Sequence, residues 1–104
     1  MSKFKITLGA LPDFKLPVKF VMPNGDEAKI TFTVKHRASN EVQELYDRKD
    51  IKDHDFIMEL ASGWDLEEEF NEDNAELLVR YYPGAALALT STYLRALAGQ
   101  RVKN

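Results

Sequence analysis

Cysteine is absent from the 104 residues, which removes disulfides, thiolate metal sites and Cys nucleophiles together. Glycine is sparse. Gly9, Gly25, Gly63, Gly84 and Gly99 stand far apart, so no glycine-rich phosphate loop exists. Imidazole is limited to His36 and His54, and Ser39, Ser62 and Ser91 lie in no G-x-S-x-G setting. No nucleophile and base can be paired from these residues. Long apolar runs are missing too. The most apolar stretch, Pro83 to Leu89, is too short and alanine-rich to span a bilayer. The opening MSKFKITLGAL places two lysines inside its apolar stretch, unlike a secretory signal. These absences read as a soluble, intracellular, non-enzymatic protein without catalytic, cofactor-binding or metal residues.

A chain of this length is expected to form one domain, 1–104, with a core that needs no covalent staples. Its charge is small in sum and uneven in placement. Residues 1–38 carry seven Lys/Arg against three Asp/Glu, net +4. Residues 39–76 carry three against fourteen, net −11, and residues 77–104 carry four and no acid. A solvated acidic helical surface explains the middle block. Acidic middle and basic ends also suit copies meeting head to tail, or a basic partner.

Three β-like segments come first. Phe4, Ile6 and Leu8 alternate with Lys3, Lys5 and Thr7; Phe14, Leu16, Val18, Phe20 and Met22 alternate with Lys15, Pro17, Lys19 and Val21; Ile30, Phe32 and Val34 alternate with lysine and threonine. Period two with one apolar face marks half-buried strands. Pro23-Asn24-Gly25-Asp26 predicts a hairpin between the second and third. From Ala38 the period turns helical. Ser39 or Asn40 is expected to cap a helix with Val42, Leu45 and Tyr46 on one face. Asp53 is expected to cap a second, carrying Phe56, Ile57 and Leu60 and ending near Ser62-Gly63, with Trp64-Asp65 in a connector. Asn71 should cap a third, with Leu77, Leu78 and Tyr81, which Pro83-Gly84 breaks. The fourth runs from about Ala85 to Ala98, with Gly99 as its C-cap. The expected class is α+β: a small N-terminal antiparallel sheet of about three strands, then about four short helices. Residues 1–37 form its β-rich part, 38–99 its helical part and 100–104 a frayed tail.

The search for chemistry returns little. Asp50, Asp53, His54 and Asp55 are close in sequence, but Asp53 and Asp55 point apart on a helix and no metal-site spacing is present. Glu67-Glu68-Glu69 reads as a wet face. Lysines along the strands read as a guard against edge pairing, and no nucleic acid partner is expected. What stands out is aromatic density near small residues: Trp64, Phe70, Tyr81, Tyr82 and Tyr93 within the last forty or so positions. Exposed Tyr or Trp is the usual material of a protein contact. Trp64, Phe70, Tyr81, Tyr82 and Leu87 are the candidate residues for contact with a partner or another copy.

The same stretch carries a resemblance. Gly63-Trp64-Asp65, Glu69-Phe70-Asn71, Asn74-Ala75, Leu77-Leu78, Tyr82-Pro83-Gly84-Ala85 and Tyr93-Leu94, preceded by Lys35-His36-Arg37 leading into acidic helices, resemble the tail assembly chaperones of long-tailed phages or prophages. The resemblance implies a non-catalytic, self-associating factor in the host bacterial cytoplasm. It would coat the helix-rich tape-measure protein, promote tail-tube polymerisation and be absent from the mature virion. It also implies a tail-tube partner and, in many families, a longer frameshifted form. The alternatives are a small acidic DNA mimic that occupies a basic groove of a host enzyme, and a minor structural tail protein.

Overall fold

The computed structural model describes residues 8–99. Its elements run β1 (Phe14–Val21), β2 (Glu27–Val34), α1 (Ser39–Asp47), α2 (Asp53–Leu60), β3 (Ala61–Trp64), α3 (Glu72–Tyr81) and α4 (Gly84–Leu97). The class is α+β, with one antiparallel three-stranded sheet in the order β1-β2-β3 and four helices.

Alternation builds the hairpin. Leu16, Val18 and Phe20 are buried while Lys15, Pro17 and Lys19 are exposed. In β2, Ile30, Phe32 and Val34 turn to the same face, and the register sets Leu16 opposite Phe32 and Val18 opposite Ile30. The turn between them is a three-residue loop rather than a two-residue one. The Gly25 N–H donates to the Met22 carbonyl at 2.8 Å and the Met22 N–H to the Asp26 carbonyl at 2.7 Å. Within the turn, Gly25 alone has a positive φ, 93°. Asn24 instead accepts from the Asp26 N–H through its side chain at 3.0 Å. This is the turn-plus-bulge alternative to a two-residue hairpin, with glycine at the left-handed position.

The third strand is not the expected one. Lys3 to Thr7 of the first β-like segment lie outside the described residues, as do the expected tail residues 100–104. Within the sheet the third position belongs to β3. The helix α2 therefore stops at Leu60 rather than at Ser62-Gly63, and Trp64 belongs to a strand rather than a connector. β3 pairs Phe32 with Trp64 and Val34 with Ala61, with an irregularity between Thr33 and Val34. Asp65 prolongs the junction by accepting from the Thr31 N–H at 3.0 Å. Two further details differ. Ala38, not Ser39 or Asn40, precedes α1, and its N–H donates to Glu41 at 2.9 Å. Lys52, not Asp53, precedes α2, and its N–H donates to Asp55 at 2.9 Å. In both places a third-position carboxylate reaches back to the free amide. Asn71 caps α3 as expected, accepting from the Asn74 N–H at 2.8 Å. Past α4, Gly99 takes a φ of 77°.

The helices bury apolar stripes in the core they share with the sheet: Ile57 and Leu60 from α2, Ala75 and Leu78 from α3, and Ala85, Ala86, Leu89 and Tyr93 from α4. Tyr93 is fully buried, yet its hydroxyl is satisfied. It donates to the Lys35 carbonyl at 2.6 Å and accepts from the Arg37 N–H at 3.1 Å. Arg37 in turn grips α2, its Nε donating to the Glu59 carbonyl at 2.7 Å. The corner between β2 and α1 is thus tied to both α4 and α2.

Tyr93→Phe should lose about 1–2 kcal/mol in urea unfolding, since the Arg37 amide loses its acceptor. Burial also pushes the Tyr93 phenol above its usual pKa of 10.0. The folded state therefore holds this proton more tightly than the unfolded one. Stability from this group should be constant below about pH 10 and fall above it, and Tyr93→Phe should abolish that fall.

Candidate functional site

The sheet's apolar face is wider than its helical cover. α4 packs on β1, whereas α3 packs mainly on α2. Near the hairpin end this leaves a groove of about 390 Å³. Phe20, Ile30 and Leu78 form its nearly buried floor. Leu77, Tyr81 and Tyr82 of α3 and its C-cap make one wall, and Trp64 and Leu66 make the opposite one. Met22 and Ala28 close the end nearest the turn, and Glu68 and Lys29 add the charged positions.

The Trp64 wall is stiff. The indole Nε1–H donates to the Glu68 carbonyl at 2.7 Å, folding the β3–α3 connector around the ring. Phe70 meets the indole edge to face, with centroids 5.0 Å apart and planes at 89°. Phe32 approaches from the sheet at 6.3 Å. An edge-to-face pair of this kind contributes about 0.5–1.5 kcal/mol beyond its buried area. Across the groove, Tyr82 leans on Phe20 at 6.4 Å.

The five candidate residues fall into three places. Trp64, Tyr81 and Tyr82 line the groove, with Tyr81 65% and Tyr82 37% exposed. Phe70 stands behind Trp64 as its support and does not line the groove. Leu87 is 74% exposed on the outer side of α4, also away from the groove lining. Sequence reasoning missed Phe20, Met22, Ile30 and Leu66 as lining residues. Phe20, Met22 and Ile30 read as the apolar faces of strands, Leu66 carried no signal, and only the incomplete cover by α3 opens them.

Two polar clusters were singled out by sequence or come together in space. His54 Nε2 lies 3.5 Å from Asp55 and 3.6 Å from Glu72, which joins the starts of α2 and α3. Glu72, not Asp50 or Asp53, completes this group. Both carboxylates sit in first helical turns, where the helix dipole favours negative charge. His36 has a structural partner: its Nδ1 accepts from the Leu11 N–H at 2.8 Å, fastening the segment before β1 to the end of β2.

The family model described as phage tail assembly chaperone matches residues 1–104. The chain belongs to this family. It is non-catalytic, so the protein is not an enzyme, and membership selects the chaperone reading over the DNA-mimic alternative. Comparison with curated proteins and with solved structures returns no match. Among the described residues no helix is long and apolar enough to cross a membrane.

Floor and wall of the groove should separate on mutation. Leu78→Ala should cost about 2–5 kcal/mol in urea unfolding. Tyr81→Ala should stay within about 0.5 kcal/mol, as for surface substitutions away from special features.

Proposed function

We propose that the protein self-associates in the host bacterial cytoplasm and coats the tape-measure protein until tail-tube subunits polymerise around it, itself staying out of the mature virion. The observation that carries this reading is the open groove walled by Trp64, Leu77, Tyr81 and Tyr82. A tape-measure helix presents apolar side chains at i, i+3, i+4 and i+7, and a hydrophobic groove is the usual receiver of such a face. The floor is preformed by the core, so little ordering cost attaches to binding. Exposed Glu68 and Lys29 at the groove keep the apolar walls in a charged setting, which favours solubility.

Reversibility follows from scale. One groove of about 390 Å³ holds a few side chains, so each contact is weak. A row of subunits along one helical client supplies avidity without new chemistry. A client can then be released subunit by subunit as the tube advances.

Co-expression tests the reading. Wild-type protein should keep a tape-measure segment soluble and co-purify with it, and Tyr81→Asp should abolish both while leaving the circular dichroism spectrum unchanged. Retention of the client by Tyr81→Asp would remove the groove from the account. The charge part is tested separately: oligomer size at low and high salt should differ, and an unchanged size would show that charge matching does not hold subunits together.

A further inference from the structure

The starts of α2 and α3 bring three metal-ligating side chains to one point. His54 Nε2 lies 3.5 Å from Asp55 Oδ1 and 3.6 Å from Glu72 Oε2, and one ligand atom from each residue falls within 4.8 Å of the others. Both separations are longer than a hydrogen bond. They match a different geometry: two atoms each about 2.1 Å from a tetrahedral ion stand about 3.4 Å apart. The three side chains are held differently. That of His54 is 12% exposed. Asp55 accepts from the Lys52 N–H through Oδ2 at 2.9 Å, which leaves Oδ1 facing the imidazole. Glu72 is the first residue of α3 and its side chain is 69% exposed, so it can close on an ion arriving from solvent.

We infer that His54, Asp55 and Glu72 form a binding site for one divalent transition-metal ion, zinc being the fitting species, and that the ion clips the start of α3 to the start of α2. The inference does not depend on the client-binding reading. One imidazole and two carboxylates suit zinc and its first-row neighbours, whereas calcium and magnesium take oxygen ligands and gain nothing from the ring. Three protein ligands leave a fourth tetrahedral position for water on the solvent side. Electrostatics act both ways. The two helix N-termini oppose a cation with partial charges of about half a unit each. The two ligand carboxylates carry a full charge each, and Asp53 and Asp73 add two more in the same first turns, against the single cation Lys52 at the α2 cap. The balance favours the ion. Sequence spacing does not show this set, because Glu72 comes from a second helix and only the packing of α3 on α2 joins it to His54. The clip has a mechanical consequence. α3 and its C-cap carry Leu77, Tyr81 and Tyr82, so an ion that fixes the start of α3 steadies one wall of the groove.

Isothermal titration calorimetry of the untagged full chain with zinc chloride tests this, with thermal unfolding alongside. Wild-type protein should bind one zinc ion per chain, and zinc should raise its melting temperature while magnesium does not. Glu72→Gln, at an exposed position, should weaken zinc binding by more than the roughly 10–100-fold that follows loss of a residue that only orients a ligand. Its melting temperature should no longer respond to zinc. His54→Gln should behave alike; if that chain does not fold, Asp55→Asn takes its place, since it keeps an oxygen for the Lys52 amide. Glu67→Gln/Glu69→Gln removes acids outside the cluster and should bind zinc as wild type does. Absence of zinc binding would overturn the site and leave His54 as an ion-pair bridge between the helices. Wild-type affinity in Glu72→Gln would overturn it too, as would an equal loss in Glu67→Gln/Glu69→Gln, the mark of a diffuse acidic surface. Tyr81→Asp should bind zinc normally, so loss of the client and loss of the metal are read separately.

Discussion

The apolar face shared by β1 and β2 has to be covered, and the way it is covered governs the rest of the molecule. Leu16, Val18, Phe20, Ile30, Phe32 and Val34 all turn to one side. A sheet of this size gains stability only if helices remove that side from water. α4 does so over β1, and the Tyr93 hydroxyl fixes where it lies by bonding to both Lys35 and Arg37. These part-buried bonds are polar and directional, so they set position as well as adding stability.

The groove is the consequence of incomplete cover. Two short helices, α3 and α4, cannot span three strands and also pack on α2. The uncovered end of the sheet therefore keeps Phe20 and Ile30, with Leu78 of α3 beside them, as a floor reached from solvent. Patches of exposed apolar surface in a small protein mark interaction sites more often than accidents. Here the walls are aromatic, and Trp64 is braced by Phe70 and by the Glu68 carbonyl. Bracing of this kind lets a side chain stay partly exposed at a defined angle.

Charge placement adds direction to these surfaces. The acidic block is not spread evenly over the helices: part of it seals helix starts, with Glu41 and Asp55 reaching back to free amides, and part flanks the groove through the β3–α3 connector. The basic positions of the strands lie outward on the sheet. The charge is therefore laid out unevenly over the molecule's surface.

Much of the architecture was legible in the residues. Alternation identified β1 and β2 and their buried face, helical spacing placed four helices, and Asn71 announced its cap, because these signals are local. β3 was not legible, since four residues hold too few alternations to register and its pairing partner lies some thirty positions earlier. The aromatic candidates were found by composition, but their sorting into groove wall, brace and outer helix face came only from packing. Adjacent Tyr81 and Tyr82 illustrate the limit: sequence shows that they diverge on a helix, and only the place where α3 leaves the sheet uncovered makes both of them walls. By itself the sequence determined β1, β2 and the four helices, the charge layout and the family. Tertiary structure alone decided which apolar side chains meet water, because that depends on which helix covers which strand.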